Sequence, residues 1–136
     1  MPPELIHGPS HEPLAGGEWS EAAAREAIAA VCADAEDAFD PETLWPAHPL
    51  DEEGGELPSP VAIYLGASGV IWGLDALARG GFATLARPWA DVAAALPDRY
   101  LARPDVPELT DGRPVPSLLA GESGVLLVAH RLAPVI

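Results

Sequence analysis

Apolar residues crowd into two stretches of this chain that read alike. Residues 65–78, LGASGVIWGLDALA, return at an offset of 55 positions as residues 120–133, AGESGVLLVAHRLA. On that offset Gly66 matches Gly121, Ser68 matches Ser123, Gly69 matches Gly124, Val70 matches Val125, and Leu77-Ala78 matches Leu132-Ala133. Each copy is a GxSGV turn running into an apolar segment of helical length. Val70, Ile71, Trp72, Leu74 and Leu77, and in the second copy Val125, Leu126, Leu127, Val128 and Leu132, leave almost no polar face, the pattern of a helix buried nearly all round. The spacing predicts helices over 68–79, closed by Gly80-Gly81, and over 123–133, cut short by Pro134. Two glycines three apart let the backbone turn sharply, or let another backbone or a ligand approach. Ser68 and Ser123 stand where a helix cap is expected.

Two further segments alternate with these. Ser20 is a good N-cap with Glu21 in the first turn, and Ala24, Ile28, Val31, Cys32, Ala35 and Phe39 recur on one stripe while Glu26, Asp34, Glu36 and Asp37 are assigned to the wet face. Pro41 stops that helix. Residues 39–60 are a proline- and acid-rich connection, but Phe39, Leu44, Trp45 and Leu50 predict a loop packed on the body. After Gly81, the positions Leu85, Trp89, Val92 and Leu96 have helical spacing, with Pro88 near the start and Pro97 as the end or a kink. Residues 99–116 read as loop, with a turn at Asp111-Gly112.

The order is therefore amphipathic, buried, amphipathic, buried. The fold class expected is all-α: tandem helical hairpins of an α/α toroid, a partial ring with buried helices inside and amphipathic ones outside. Residues 1–18, with prolines, glycines and two histidines in no period, are an irregular lead-in; residues 19–136 are the ordered unit, with repeats at 62–81 and 116–134. A chain of 136 residues can bury roughly two-thirds of its unfolded surface, enough for one core.

Charge narrows the partners. The net charge of −14 is concentrated in residues 1–60, with 14 acids and one arginine, against seven acids and six arginines in residues 61–136. There is no lysine and no basic stripe, so the field repels a phosphate backbone and nucleic acid is not an expected partner; anionic membrane surfaces are disfavoured likewise. No segment has the length and flanks of a spanning helix, and the first residues lack the basic and apolar regions of a signal peptide, so a cytoplasmic location is expected. Cys32 is the only cysteine, which excludes an intramolecular disulfide, and its place on an apolar stripe makes it a core residue.

Candidate chemistry is sparse. Zinc needs three or four close ligands. His7 and His11 lie in a Gly-Pro segment, His48 sits among prolines beside Trp45, and His130 falls within the second apolar helix, where it faces either a cavity or the core or a subunit contact. None is assigned as a metal ligand. Asp75 and Glu122 are the acids nearest the repeated motif. Asp75 has Arg79 four residues on as an ion-pair partner, and Glu122 sits where helix N-terminal amides favour an anion. Neither GASGV nor GESGV forms a GxSxG nucleophile elbow. No catalytic, cofactor-binding or metal residue is assigned.

The repeated wording resembles the lanthionine synthetase C-like proteins, whose inner helices start with GxxG turns in a double-layered α/α toroid. YLGASGVIWGLDALARGG is similar to that family's first such repeat and PSLLAGESGVLLVAHRLA to its second; FDPETLWPAHPLDEEGG resembles the lead-in of a bacterial subgroup. The resemblance runs from Trp19 to the end. It implies the opening third of a longer protein, whose relatives are zinc-dependent cyclases in peptide modification. There zinc holds a peptide cysteine as thiolate, which adds to a dehydroamino acid to close a thioether ring; the metal supplies the lowered thiol pKa. The family's zinc ligands, two cysteines and a histidine with one Cys-His pair adjacent, and its acid-base histidine lie downstream of these repeats. Cys32 is not beside a histidine, so no ligand role passes to it, and no cofactor is expected in this chain. What remains is scaffold and cavity wall. Two alternatives stay open: a non-catalytic module that self-associates or pairs with a partner polypeptide through its uncovered apolar flank, and another α/α-toroid enzyme such as a glycoside-processing one, which would need Asp75 and Glu122 to pair across a cavity.

Overall fold

The computed structural model describes residues 18–45, 47, 59–106 and 111–133. They form four helices, α1 (Glu21–Asp37), α2 (Ala67–Arg79), α3 (Ala90–Ala102) and α4 (Glu122–Leu132), with no strand among the described residues. The described residues are all-α, as the hydrophobic pattern predicts. The lead-in 1–17, Leu50, and the region around His48 lie outside the described residues.

α1 starts where the sequence places it. The Ser20 hydroxyl accepts from Ala23 N at 3.3 Å, and the Arg25 guanidinium pairs with Glu21 four residues back. Its buried stripe differs from the expected one in two positions. Val31 is exposed, and Glu36, assigned to the wet face, is buried. On a 3.6-residue period Ile28, Cys32, Ala35, Glu36 and Phe39 share one direction and Val31 lies at its edge. Glu36 is tolerated inside because its carboxylate accepts from the backbone N–H groups of Ala86, at 2.8 Å, and Arg87, at 3.3 Å. It thereby holds the segment that leads into α3, and a buried carboxylate with two amide donors is satisfied.

The described start of the connection after α1, residues 38–45, packs on the body through a tight loop. The Asp40 side chain accepts from Glu42 N, Thr43 N and the Thr43 hydroxyl, and Asp40 and Leu44 exchange backbone hydrogen bonds. Leu44 takes a left-handed φ of 62°, a conformation that costs a branched side chain energy and that this loop over-determines. The turn delivers Trp45 to the core, where its indole N–H donates to Ala35 O at 2.7 Å. Trp45, Phe39 and Trp89 then form an aromatic cluster with centroids 4.9–5.3 Å apart, capped by the Arg87 guanidinium over Phe39 and Trp89.

α3 is the element that the described core is built around. Trp89, Ala93, Leu96 and Tyr100, at helical spacing, are all buried. The helix also runs through Pro97 to Ala102, where the sequence pattern predicts an end or a kink followed by loop from residue 99. Two side chains hold that last turn: Arg99 donates to the carbonyls of Pro41 and Glu42, and Tyr100 is enclosed completely. Burial of Tyr100 and Leu96 offsets the hydrogen bond and steric fit that Pro97 forfeits.

The two apolar helices are less enclosed than their composition predicts. α2 buries Ala67, Ser68, Ile71 and Leu74, and α4 buries Gly124, Val125 and Val128, but Leu126 and Leu127 are exposed. α4 packs chiefly against α3 and touches α2 on a smaller seam. Gly80 and Gly81 end α2 as expected, Gly81 taking a φ of 71° that only glycine adopts freely.

Candidate functional site

The repeated GxSGV turns are where backbone and side chains converge, and the structure gives their glycines a single physical purpose. Gly66 and Gly121 are the N-caps of α2 and α4, both with extended backbone, so an unusual φ is not what they provide. They provide room. A Cβ on Gly66 would collide with the Pro60 carbonyl, and one on Gly121 with that of Val115; on Gly69 and Gly124 it would collide with the carbonyls of Ile63 and Leu118. Every one of these contacts reaches six residues back. The chain entering each helix folds across the helix mouth, and what approaches the glycines is its own backbone.

That arrangement replaces the expected serine caps. The first helical residue in each repeat lies one position before the serine, and the amides at the helix start are taken by carbonyls: Ala67 N and Glu122 N donate to Pro60 O and Val115 O at 2.9 and 2.8 Å, and Ser68 N donates to Val61 O at 3.0 Å. Neither cap glycine nor Ser68 or Ser123 caps through a side chain. Ser68 is fully buried with its hydroxyl unpaired, and Ser123 is exposed. With the orphan amides already satisfied by backbone, a side-chain cap has nothing left to accept from.

Each entry loop is also held from α3 and the segment after it. Asp105 accepts from Val61 N and Ala62 N at 2.7–3.0 Å, fixing the first loop. The Tyr100 hydroxyl accepts from Val115 N and donates to Ala120 O, fixing the second. The loops then meet each other: Tyr64 N donates to Leu119 O at 2.9 Å, and the Ile63 side chain lies over Gly124. Tyr64 and Leu119 are equivalent positions on the 55-residue offset, so the repeats adjoin in register.

A polar clasp joins the far ends of α2 and α4. Asp75 accepts from Arg79 at 2.8 Å and from Arg131 at 2.9 Å, and the Arg131 guanidinium lies 4.4 Å above the Trp72 ring. Burial pushes the Asp75 carboxyl up, but the hydrogen bonds and charges of the two arginines outweigh it and hold the carboxyl below its usual range. Asp75 therefore stays ionised at neutral pH and is fully engaged, unsuited to taking a proton from a substrate. Its pairing with Arg79 is as expected; Arg131 is the partner that sequence spacing could not supply. A group with a lowered folded-state pKa stabilises the fold above its unfolded pKa and loses that contribution as pH falls through the folded one. Thermal melting followed downward from neutral pH should accordingly show Asp75→Asn less stable at pH 7, with its deficit against the unsubstituted chain closing below about pH 4. A deficit that is constant with pH would place the clasp outside the acid response.

Beside the clasp lies an open cleft of about 210 Å³, lined by Asp75, Arg79, Leu85, Arg87, Trp89 and Leu132. Its ionic groups are committed, Asp75 to arginines and Arg87 to aromatic rings. The paired-carboxylate arrangement does not form. Asp75 is clasped to Arg131, and Glu122 opens α4 nine residues before it, roughly 13 Å along the axis at 1.5 Å per residue. His130 is exposed and enters no core. His7, His11 and His48 lie outside the described residues, and Cys32 is buried in α1, as its stripe predicts. Among the described residues no three His, Cys, Asp or Glu side chains come together as a metal site, and no helix is long and apolar enough to cross a membrane. No family model, curated protein or solved structure matches the chain.

Proposed function

We propose that this chain is the opening part of a lanthionine synthetase C-like helical ring, contributing scaffold and cavity wall and no chemistry of its own. The observation that supports the reading most is the in-register junction of the two GxSGV turns, where Tyr64 N meets its equivalent, Leu119 O. A junction between equivalent positions is what successive units of a ring or solenoid share. The glycines fit the same reading: they admit the entry loop of each unit, a structural need independent of any ligand. On this proposal zinc, its cysteine and histidine ligands and the acid-base histidine belong to later units, and the protein works in the cytoplasm.

Two measurements test it. Reading the coding DNA past the codon for Ile136 should reveal a continuing frame with further GxSGV helices and an adjacent Cys-His pair; a frame without them overturns the proposal. The purified chain, given zinc and a peptide bearing a cysteine and a dehydroamino acid, should form no thioether and bind no stoichiometric zinc. Zinc-dependent ring closure by these 136 residues would overturn it equally. A non-catalytic interaction module is a second reading, favoured by the exposed Leu118, Leu126 and Leu127.

A further inference from the structure

Equivalent positions in the two repeats differ in burial, and the differences are systematic. Ile71 of α2 is 0% exposed, while its counterpart Leu126 in α4 is 48% exposed. Ile63 is half-buried against Gly124, while its counterpart Leu118 is 54% exposed. Asp75 is clasped by Arg131, while its counterpart His130 is exposed. The opposite sides show the reverse. Val128 is 0% exposed and Gly124 is buried, but their counterparts Gly73 and Gly69 are half-open, with nothing within 4 Å of a Cβ built on Gly73. Each repeat thus has a leading flank and a trailing flank. The trailing flank of the first meets the leading flank of the second, which leaves the leading flank of α2 and the trailing flank of α4 without that cover among the described residues.

We infer that the trailing flank of α4 takes the leading flank of α2 from a second copy of this chain, head to tail, on the register that already joins the two repeats. One molecule carries both halves of the joint, and the joint is built once within it. Continued by the same 55-residue offset, it sets Leu118, Leu126 and Leu127 against Gly69, Gly73 and Ala76 of the second copy, and brings the Leu119 N–H to that copy's Tyr64 carbonyl. Small residues on one side admit the leucines of the other, as Gly124 admits Ile63. None of these positions is acidic, so a chain of net charge −14 meets itself at a neutral seam, and added salt, by screening the rest, strengthens the association. A head-to-tail joint is heterologous, and it propagates unless the rotation closes a ring.

The inference stands on the burial differences and deepens the interaction-module reading; in the longer ring of the first proposal the next unit of the same chain takes the α4 flank instead. Sedimentation equilibrium on the full chain, across a range of concentrations and at two salt levels, should give a mass that rises above one chain and rises further with salt. Leu126→Glu on the trailing flank and Gly73→Glu on the leading flank should each remain monomeric, with Leu127→Glu and Ala76→Glu as second variants if circular dichroism shows either to be unfolded. An equimolar mixture of the two folded variants should recover a two-chain complex and stop there, since only one productive joint remains. A monomeric unsubstituted chain overturns the inference. So does association that survives either single substitution, which would mean a symmetric interface, or a mixture that stays monomeric.

Discussion

Gly124→Ala should destabilise the chain by about 3 kcal/mol, the upper part of the range for forcing atoms into a packed interior. The new methyl would overlap the Leu118 carbonyl and stand 2.9 Å from the Ile63 Cδ1. A flexible side chain can swing away, but the carbonyl cannot. Its neighbours are pinned: Ser117 O accepts from Gly124 N, the Ser117 hydroxyl accepts from Ala120 N, and Leu119 O accepts from Tyr64 N. Moving Leu118 therefore breaks the junction between the repeats. Gly73→Ala is the control, a helical glycine with open space around it, expected to stabilise by about 0.5–1 kcal/mol through helix propensity. Urea unfolding of both variants separates the explanations. If Gly124→Ala is neutral, the repeated glycines are not there for the entry loops.

The glycines show how far the sequence could be read. Their recurrence with serine, valine and leucine-alanine on a fixed offset marks a structural unit, and both helices lie within a residue of where that pattern puts them. The pattern could not say which atoms approach the glycines. That depends on a carbonyl six residues back, and backbone carbonyls carry no sequence signal. The same gap explains the serines: a Ser at a helix start looks like a cap unless the competing carbonyl is known. Glu36 was illegible for a related reason, since its partners are amides 50 residues away. Arg131 on Asp75 is a contact across 56 residues, whereas Arg79 on Asp75, four apart, follows from helical geometry alone. Local rules reached local contacts. Exposure does not follow from composition alone: Leu126 and Leu127 are as apolar as Ile71, but only Ile71 is enclosed.

Tyr100 lies on a turn of α3 beyond Pro97 that the sequence presents as loop. Its side chain is the largest fully enclosed one among the described residues. Truncation to alanine should cost about 3–5 kcal/mol, the range for removing a buried aromatic ring and leaving its cavity. Part of that cost is polar. The hydroxyl accepts from Val115 N at 3.3 Å and donates to Ala120 O at 3.5 Å, so it spans the second entry loop just before α4. Tyr100→Phe keeps the ring and leaves the Val115 amide without its partner, and bonds of this length place the loss at about 1 kcal/mol. The two substitutions should also differ in what they disturb. Removing the ring loosens α3 against α4 and lowers the whole unfolding transition. Removing only the hydroxyl should speed amide hydrogen exchange at Val115 while α1 and α2 keep their protection. If Tyr100→Phe instead raises exchange across all four helices, the hydroxyl is part of the global core and the entry loop is held by the glycine contacts alone.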